Sequence, residues 1–335
     1  MNLQQLRVFA AVADLGSFTR AAETLYLSQS GVSQHIETLE REQGVRLIDR
    51  LGRHVQLTDA GAILLPYAHR LINLEREAEE SLAIVKGLGA GHLRVGASPT
   101  PATYLLPYLL GIYHRRNPAV EILLAVDVTL RIAEQVAAGA LGAGLVEGDV
   151  HHDQLQAQPC LHDELLVVTQ PDIRPADGQA FHVEELAVLR QIAREPGSLT
   201  RRLIEQTFGR CSLPYRPVIE LGHMEAIKQA VAAGLGVSIL SGYAVANEIQ
   251  RGRLNGWRVH GLPFRRIFLL LTRKGNVGSP ATDSFLNLMN QERDGCAALL
   301  KQVLDRTPQA ASALDQAAAR PPPSESQSCR LDRRL

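Results

Sequence analysis

The sequence predicts a mixed fold in three parts: a small helical module closed by a hairpin, one long helix, and an α/β body in two lobes. Three observations predict it. Residues 2–57 read as three helices with a tight turn before the third, followed by two short β-like runs. Residues 60–85 carry apolar residues at steps of four and three. From residue 93 onward short apolar runs alternate with amphipathic helices, and the series begins again near residue 164. Strand–helix alternation implies mostly parallel sheets covered by helices. Two such series imply two lobes with a cleft between them.

The first module can be read residue by residue. Asn2 can cap the first helix, with Gln5 three positions later as in a capping box. Leu3, Leu6, Phe9, Ala10 and Ala13 form its apolar stripe. Ser17 caps a second helix whose inward residues are Phe18, Ala21, Ala22 and Leu25, and the small pair Ala21–Ala22 lets another helix cross closely. Ser28 caps the third helix, whose buried face is Val32, Ile36 and Leu39. Its opposite face carries Ser30, Ser33, Gln34 and Glu37, with no Lys or Arg before Arg41. Residues 46–48 and 55–57 read as extended, and the Gly- and Arg-containing stretch 49–54 reads as the tip of a hairpin.

Thr58 opens the long helix, expected to run to about Lys86. Ala60, Leu64, Tyr67, Leu71, Leu74, Ala78, Leu82 and Val85 form a heptad-like seam, which a single copy would leave exposed, so a dimer is expected. Pro66 interrupts the pattern and should remove a hydrogen bond and bend the axis. The glycines of 87–91 mark a hinge. Strands are expected at 93–97, 120–126, 143–146, 164–169, 189–193, 217–221, 237–240 and 267–273. Helices are expected at 101–116, 129–138, 201–208, 225–233 and from Pro280. The resulting division is 1–58, 59–88 and 89–302, the last with lobe I at 91–163 and 266–302 and lobe II at 164–265. From about Arg306 the composition turns to Ala, Gln, Ser and Pro, and residues 303–335 read as a disordered tail, the alternative being a last docked helix over 307–320.

Composition narrows the class. The 335 residues are 45% apolar but only 4% aromatic, so the cores must be built from Leu, Val, Ile and Ala. Lys plus Arg and Asp plus Glu balance at 35 each, which argues against a polybasic binder. Cys160, Cys211, Cys296 and Cys329 lie far apart without a C-x-x-C pair, the pattern of a reduced cytoplasmic protein without a zinc site or disulfide framework. No metal ligand set and no cofactor motif is expected. The N-terminus lacks the features of a signal peptide, and no apolar stretch is long enough to span a membrane. An enzyme is not expected either: G-x-S-x-G, H-E-x-x-H and the P-loop are all missing.

Helix, turn, helix and wing is a geometry that docks on DNA, with the second of the two helices in the major groove. Reading base edges needs side chains that both donate and accept hydrogen bonds. Ser30, Ser33 and Gln34 supply them, flanked by Gln29 and His35, while Arg50, Arg53 and His54 on the wing suit phosphates. The competing reading is a small helical domain with a solvated polar face. Residues 1–60 hold six arginines against seven carboxylates, so binding must rest on charge placement and on doubling by a dimer.

The stretch SFTRAAETLYLSQSGVSQHIETLEREQGVRLIDR, with GRHVQLTDAG after it, closely resembles the N-terminal domain of LysR-type transcriptional regulators. The resemblance extends from Met1 to about Leu300. It implies a winged helix-turn-helix, a dimerising linker helix and a two-lobed, periplasmic-binding-protein-like effector domain. It further implies a homotetramer on double-stranded promoter DNA, a small-molecule effector, and RNA polymerase as a candidate partner. By position, Gln29, Ser30, Ser33, Gln34 and His35 correspond to the DNA-facing set and Arg50 and Arg53 to wing contacts. Ile48 stands where the family usually has Phe, Gln34 where it often has Arg, and Gly142 where it usually has Asp. GASPTPATYLLP (96–107) also resembles regulators of Rubisco operons and of sulfur assimilation.

In two-lobed α/β folds ligands sit where strands end and helices begin. Three junctions carry candidates: 96–101 with Ser98, Thr100 and Thr103 just beyond, 194–201 with Ser198, Thr200 and Arg201, and 222–225. Hydroxyls and free amides at helix starts suit an anionic ligand. Each hydroxyl taken singly also reads as an ordinary helix cap. The resemblance favours Ser98, Thr100, Ser198 and Thr200, whereas Arg201 could equally be a solvated helix residue and Glu225 reads as structural. Two alternatives remain at this point. One is a redox-responsive regulator of the same family, although Ser198 stands near where peroxide-sensing relatives place a cysteine. The other is a small-molecule binder whose N-terminal module does not touch DNA.

Overall fold

In the computed structural model, which describes residues 1–51, 54–85, 91–262, 264–275 and 278–307, the capping box at Asn2 closes as its sequence suggests. Gln5 N donates to Asn2 Oδ1 at 2.9 Å and Asn2 N donates to Gln5 Oε1 at 2.7 Å. Helix α1 (Leu3–Leu15) follows, then α2 (Phe18–Leu25), α3 (Gln29–Gln43), β1 (Ile48–Leu51) and β2 (His54–Leu57). Leu6, Phe9, Val12, Phe18, Val32, Ile36 and Leu39 meet in one buried core. Each such side chain contributes about 1.5–3 kcal/mol on burial. Ile48, at 5% exposure, joins that core.

The hairpin begins two residues later than its sequence suggests, for a definite reason. Residues 46 and 47 are claimed by their neighbours rather than by the ladder. Thr58 Oγ1 donates to Arg46 O at 2.7 Å and Thr58 N donates to Leu47 O at 3.1 Å. Glu40 Oε1 accepts from Leu47 N and Ile48 N at 2.8 and 3.0 Å. The wing is thereby fastened to α3 on one side and to the start of the next helix on the other.

That helix, α4 (Asp59–Val85), continues past Pro66 without a break. Leu64, Leu65, Ala68 and Ile72 pack on the N-terminal core. Arg7 pairs with Glu75 at 2.6 Å and His69 with Asp14 at 3.0 Å. The seam residues Tyr67, Leu71, Leu74 and Leu82 are exposed, at 55, 41, 56 and 60%. Among the described residues nothing covers them. Residues 86–90, most of the expected hinge, lie outside the described residues.

The chain divides into two compact units, residues 1–162 with 266–298, and 163–265 with the segment from Leu299 onward. In the first unit the elements after α4 are β3 (His92–Ala97), α5 (Pro99–Tyr104), α6 (Leu106–Arg116), β4 (Glu121–Val126), α7 (Thr129–Ala137) and β5 (Ala143–Glu147). Then β6 (Leu155–Thr169) carries the chain into the second unit. There follow α8 (Val183–Val188), β7 (Ile192–Arg194), α9 (Leu199–Arg210), β8 (Ile219–Leu221), α10 (Met224–Ala232), β9 (Ser238–Ser241), α11 (Gly242–Gln250) and β10 (Asn255–Trp257). The return passes along β11 (Phe264–Arg273) to α12 (Pro280–Gln291) and α13 (Arg293–Leu304).

In the first unit β3 pairs in parallel with both β4 and β5, and β11 runs antiparallel to β5. Ile132, Val136, Leu141, Val146 and Leu271 form the core beneath α7. The single helix expected at 101–116 is two, parted at Leu105. Pro107 explains the break, because its ring would collide with the carbonyl four residues back in a continuous helix. Gly142 is required by packing: a Cβ there would stand 2.3 Å from Thr282 Oγ1 on α12. In the second unit β6 pairs antiparallel with β9 and β10, and β7 with β8 in parallel. Leu165, Phe181, Leu186, Phe208, Ile239 and Trp257 fill its core.

Of residues 303–307, expected at the start of a disordered tail, 303 and 304 end α13 and 305–307 follow as a turn, with Val303 0% exposed and Thr307 Oγ1 donating to Val303 O at 3.0 Å. The remainder, 308–335, lies outside the described residues. Among the described residues no helix is long and apolar enough to cross a membrane.

Candidate functional site

Helix α3 divides cleanly into two faces. Val32, Ile36 and Leu39 are at most 1% exposed, whereas Gln29, Ser30 and Gln34 are exposed and Ser33 and His35 half-buried. The N-terminus is set by Ser28, whose Oγ accepts from Gly31 N at 3.0 Å and lies 3.0 Å from Ser30 Oγ. The turn before it is held at Tyr26, a left-handed residue with φ of 55° whose amide bonds back to α2. Its side chain is 96% exposed beside that turn, a feature that residue periodicity does not mark. Arg50 lies in β1, and Arg53 falls outside the described residues.

In the first unit the sheet order places β3 between β4 and β5, so the chain turns opposite ways from the ends of β3 and β5. That is the switch point at which open α/β sheets hold ligands. Ser98 follows β3, and its Oγ accepts from Glu147 N, at the end of β5, at 3.1 Å. Ser98 and Thr100 are 2 and 1% exposed. Three further residues converge there that sequence reading missed, Glu147, Arg266 and Thr129. Arg266 on β11 pairs through Nη1 with Glu147 Oε2 and donates from Nη2 to Thr100 Oγ1 at 3.2 Å. Its guanidinium also lies 5.3 Å from the centre of the Phe268 ring. Thr129 Oγ1 completes the frame by donating to Glu147 O at 2.9 Å. Thr103 is exposed on α5.

In the second unit Ser198 stands at the N-terminus of α9 with no side-chain cap bond, and Thr200 is buried. Arg201 is already engaged. It donates to Glu205 Oε1 and Glu220 Oε1, both at 2.7 Å, and to Arg194 O at 3.0 Å. Glu205 first, and then Glu220, hold its pKa above the usual arginine range. Two carboxylates thus balance its charge inside the unit. Glu225 pairs with the buried Lys228 at 2.8 Å.

The family model described as "Bacterial regulatory helix-turn-helix protein, lysR family" matches residues 3–62, and that of the "LysR substrate binding domain" matches residues 86–294. The chain belongs to the LysR family. It is a DNA-binding transcriptional regulator with an effector-binding domain. The "RuBisCO operon transcriptional regulator" of Allochromatium vinosum is 34% identical over 292 residues, covering 87% of this chain and 96% of that protein. The "Probable RuBisCO transcriptional regulator" of Trichormus variabilis is 36% identical over 291 residues, covering 85% of this chain and 86% of that protein. Among solved structures, the regulatory domain of Synechocystis CcmR in complex with 2-PG aligns with a TM-score of 0.54 and 29% identity. It covers 63% of this chain and 98% of that one.

Two thiols of this LysR regulator, Cys160 and Cys296, are poor candidates for peroxide chemistry, which needs thiolate. Burial raises the pKa of Cys160, and burial followed by the neighbouring Cys160 pushes that of Cys296 up to about 11. Cys211 is half-buried against the core of the second unit. Cys329 lies outside the described residues.

Proposed function

We propose that this regulator reads its operator with the exposed face of α3 and controls a RuBisCO operon in response to a small anionic effector anchored by Ser98 and Thr100. The observation that carries the DNA reading is the division of α3 into an apolar buried face and a row of neutral donors and acceptors, Gln29, Ser30, Ser33, Gln34 and His35. Arg50 and Arg53 supply phosphate contacts in this reading. The exposed seam of α4 supports assembly through that helix, first as a dimer and then as a homotetramer. RNA polymerase is a further partner of the promoter-bound form, and the cytoplasm is its location.

Two variants test the groove face. Ser33→Ala or Gln34→Ala is expected to lower specific operator affinity by about 1–3 kcal/mol, roughly five- to 150-fold, with the oligomer intact. The measurement is a footprint at stated salt on DNA upstream of the regulator's own gene and of RuBisCO genes. Wild-type affinity in both variants would place the reading surface elsewhere.

The effector reading rests on buried hydroxyls and a buried guanidinium gathered at the switch point of the first sheet. The names of the relatives and the ligand of the CcmR domain support a small-molecule signal tied to carbon fixation. Thr103, Ser198, Thr200 and Arg201 rank behind Ser98 and Thr100, Thr103 because it faces solvent and Arg201 because its charge is already paired. Ser98→Ala or Thr100→Val is expected to abolish the effector-dependent change in the footprint while effector-free DNA binding persists. An unchanged response in both variants would move the anchor away from this junction.

A further inference from the structure

We propose that Asp177, His182 and His260 form a binding site for one divalent transition-metal ion of the zinc class. A ligand atom from each of the three lies within 4.8 Å of the others. An ion bound at about 2.0–2.2 Å holds its ligand atoms about 3.3 Å apart, so side-chain rotations that part Asp177 Oδ2 from His260 Nε2 admit it to the set. Two imidazoles with one carboxylate are a ligand set that zinc, cobalt, nickel and copper prefer over calcium or magnesium. A fourth position is left for water or an outside ligand.

The backbone prepares this arrangement. Phe181 N donates to Arg258 O at 3.0 Å and His260 N donates to Phe181 O at 2.9 Å, making a parallel bridge between Phe181 and Val259. Each histidine stands one residue beyond that bridged, buried pair, and their rings stack 4.3 Å apart at 25°. Asp177 is aimed by its own turn. Its Oδ1 accepts from Gln179 N and Ala180 N at 2.7 and 3.1 Å, which leaves Oδ2 facing His260 Nε2 at 2.5 Å. Glu185 fixes the two ends of the loop by accepting from Ala176 N at 3.0 Å and from His182 N at 2.7 Å.

The ligands are also available. Asp177 and His182 are exposed, so an ion reaches them from solvent. His260 Nδ1 is buried without a hydrogen-bond partner, so the bonding of that ring is committed to the Nε2 side, toward Asp177. A bound ion would tie the 176–182 loop to the 258–260 segment, both of which border the core around Phe181, Val183 and Val259.

The test uses the full-length chain, stripped with a chelator and titrated with zinc chloride by calorimetry. The wild type is expected to take up one more ion per chain than His182→Gln/His260→Gln, with a zinc-dependent rise in Tm that the variant lacks. Cobalt chloride should give the wild type an intense visible band of a low-coordinate site, absent from the variant. Equal uptake by the two proteins, or a cobalt spectrum like that of the hydrated ion, would overturn the site. Because the variant could fold poorly, imidazole NMR of the wild type supplies a second readout. Zinc should shift the His182 and His260 resonances first, and shifts confined to other histidines would overturn the proposal.

Discussion

Replacing Arg266 by methionine is expected to destabilise the first unit by about 3–5 kcal/mol, the range found when one partner of a buried ion pair is removed. The side chains of Arg266 and Glu147 are 8 and 7% exposed, so solvent screens the pair little. Losing the guanidinium leaves the Glu147 carboxylate buried beside an apolar group. It also removes the donor to Thr100 Oγ1. Glu147→Leu combined with Arg266→Met should recover most of the loss, because an apolar pair of similar volume often replaces a buried ion pair at little cost. Denaturant titration of the two proteins measures the difference. A single variant within about 1 kcal/mol of wild type would mean that water reaches the pair, as at surface sites. The double variant also separates folding from signalling. It should fold and bind operator DNA while failing to respond to effector, since the charge and the donor to Thr100 are both gone.

That pair shows where reading from sequence stops. Ser98 and Thr100 could be proposed from the sequence because a Gly- and Pro-flanked hydroxyl cluster between a strand and a helix is a local pattern. Glu147 and Arg266 are 119 residues apart, at the end of one strand and near the start of another. No local spacing links them, and only the antiparallel pairing of β5 with β11 brings them together. Asp177, His182 and His260 were hidden for the same reason, since a loop, a helix start and a segment after a strand share no period. Helices α1 to α4 were legible because each is capped and buried on one side only. Helix α11 was not. Gly242, Tyr243, Ala244, Val245 and Glu248 are all buried, so its sequence lacks the alternation of apolar and polar faces that marks a surface helix. Strand β6 was read only from its second half, because residues 156–159 are exposed and polar or small. The switch from one helix to two at Leu105 was legible in principle through Pro107, and the apolar run around it masked the signal.

Gly61→Ala is expected to destabilise the N-terminal module, although the residue sits inside a helix where alanine is ordinarily the better choice. The propensity gain is about 1 kcal/mol. Against it stands a collision. A Cβ at position 61 would lie 2.1 Å from Leu47 O and 3.0 Å from Leu57 Cδ2. The leucine side chain could turn aside, but the Leu47 peptide could not. Its amide is held by Glu40 Oε1 at 2.8 Å and its carbonyl by Thr58 N at 3.1 Å. Moving it far enough would loosen the bonds that fasten the wing to α3 and to α4. Overpacking of a tight site costs about 1–3 kcal/mol, occasionally more, and here a backbone group rather than a rotamer must give way. The net is therefore a loss of about 1–2 kcal/mol, or roughly 4–16 °C in Tm for a unit of this size. Circular dichroism of the variant, followed through the unfolding of the N-terminal module, measures it. Operator binding should weaken together with the melting transition rather than ahead of it, because Gly61 lies away from the exposed face of α3. A variant as stable as wild type would show that residues 46–48 shift freely, and that the wing is held less firmly than its hydrogen bonds imply.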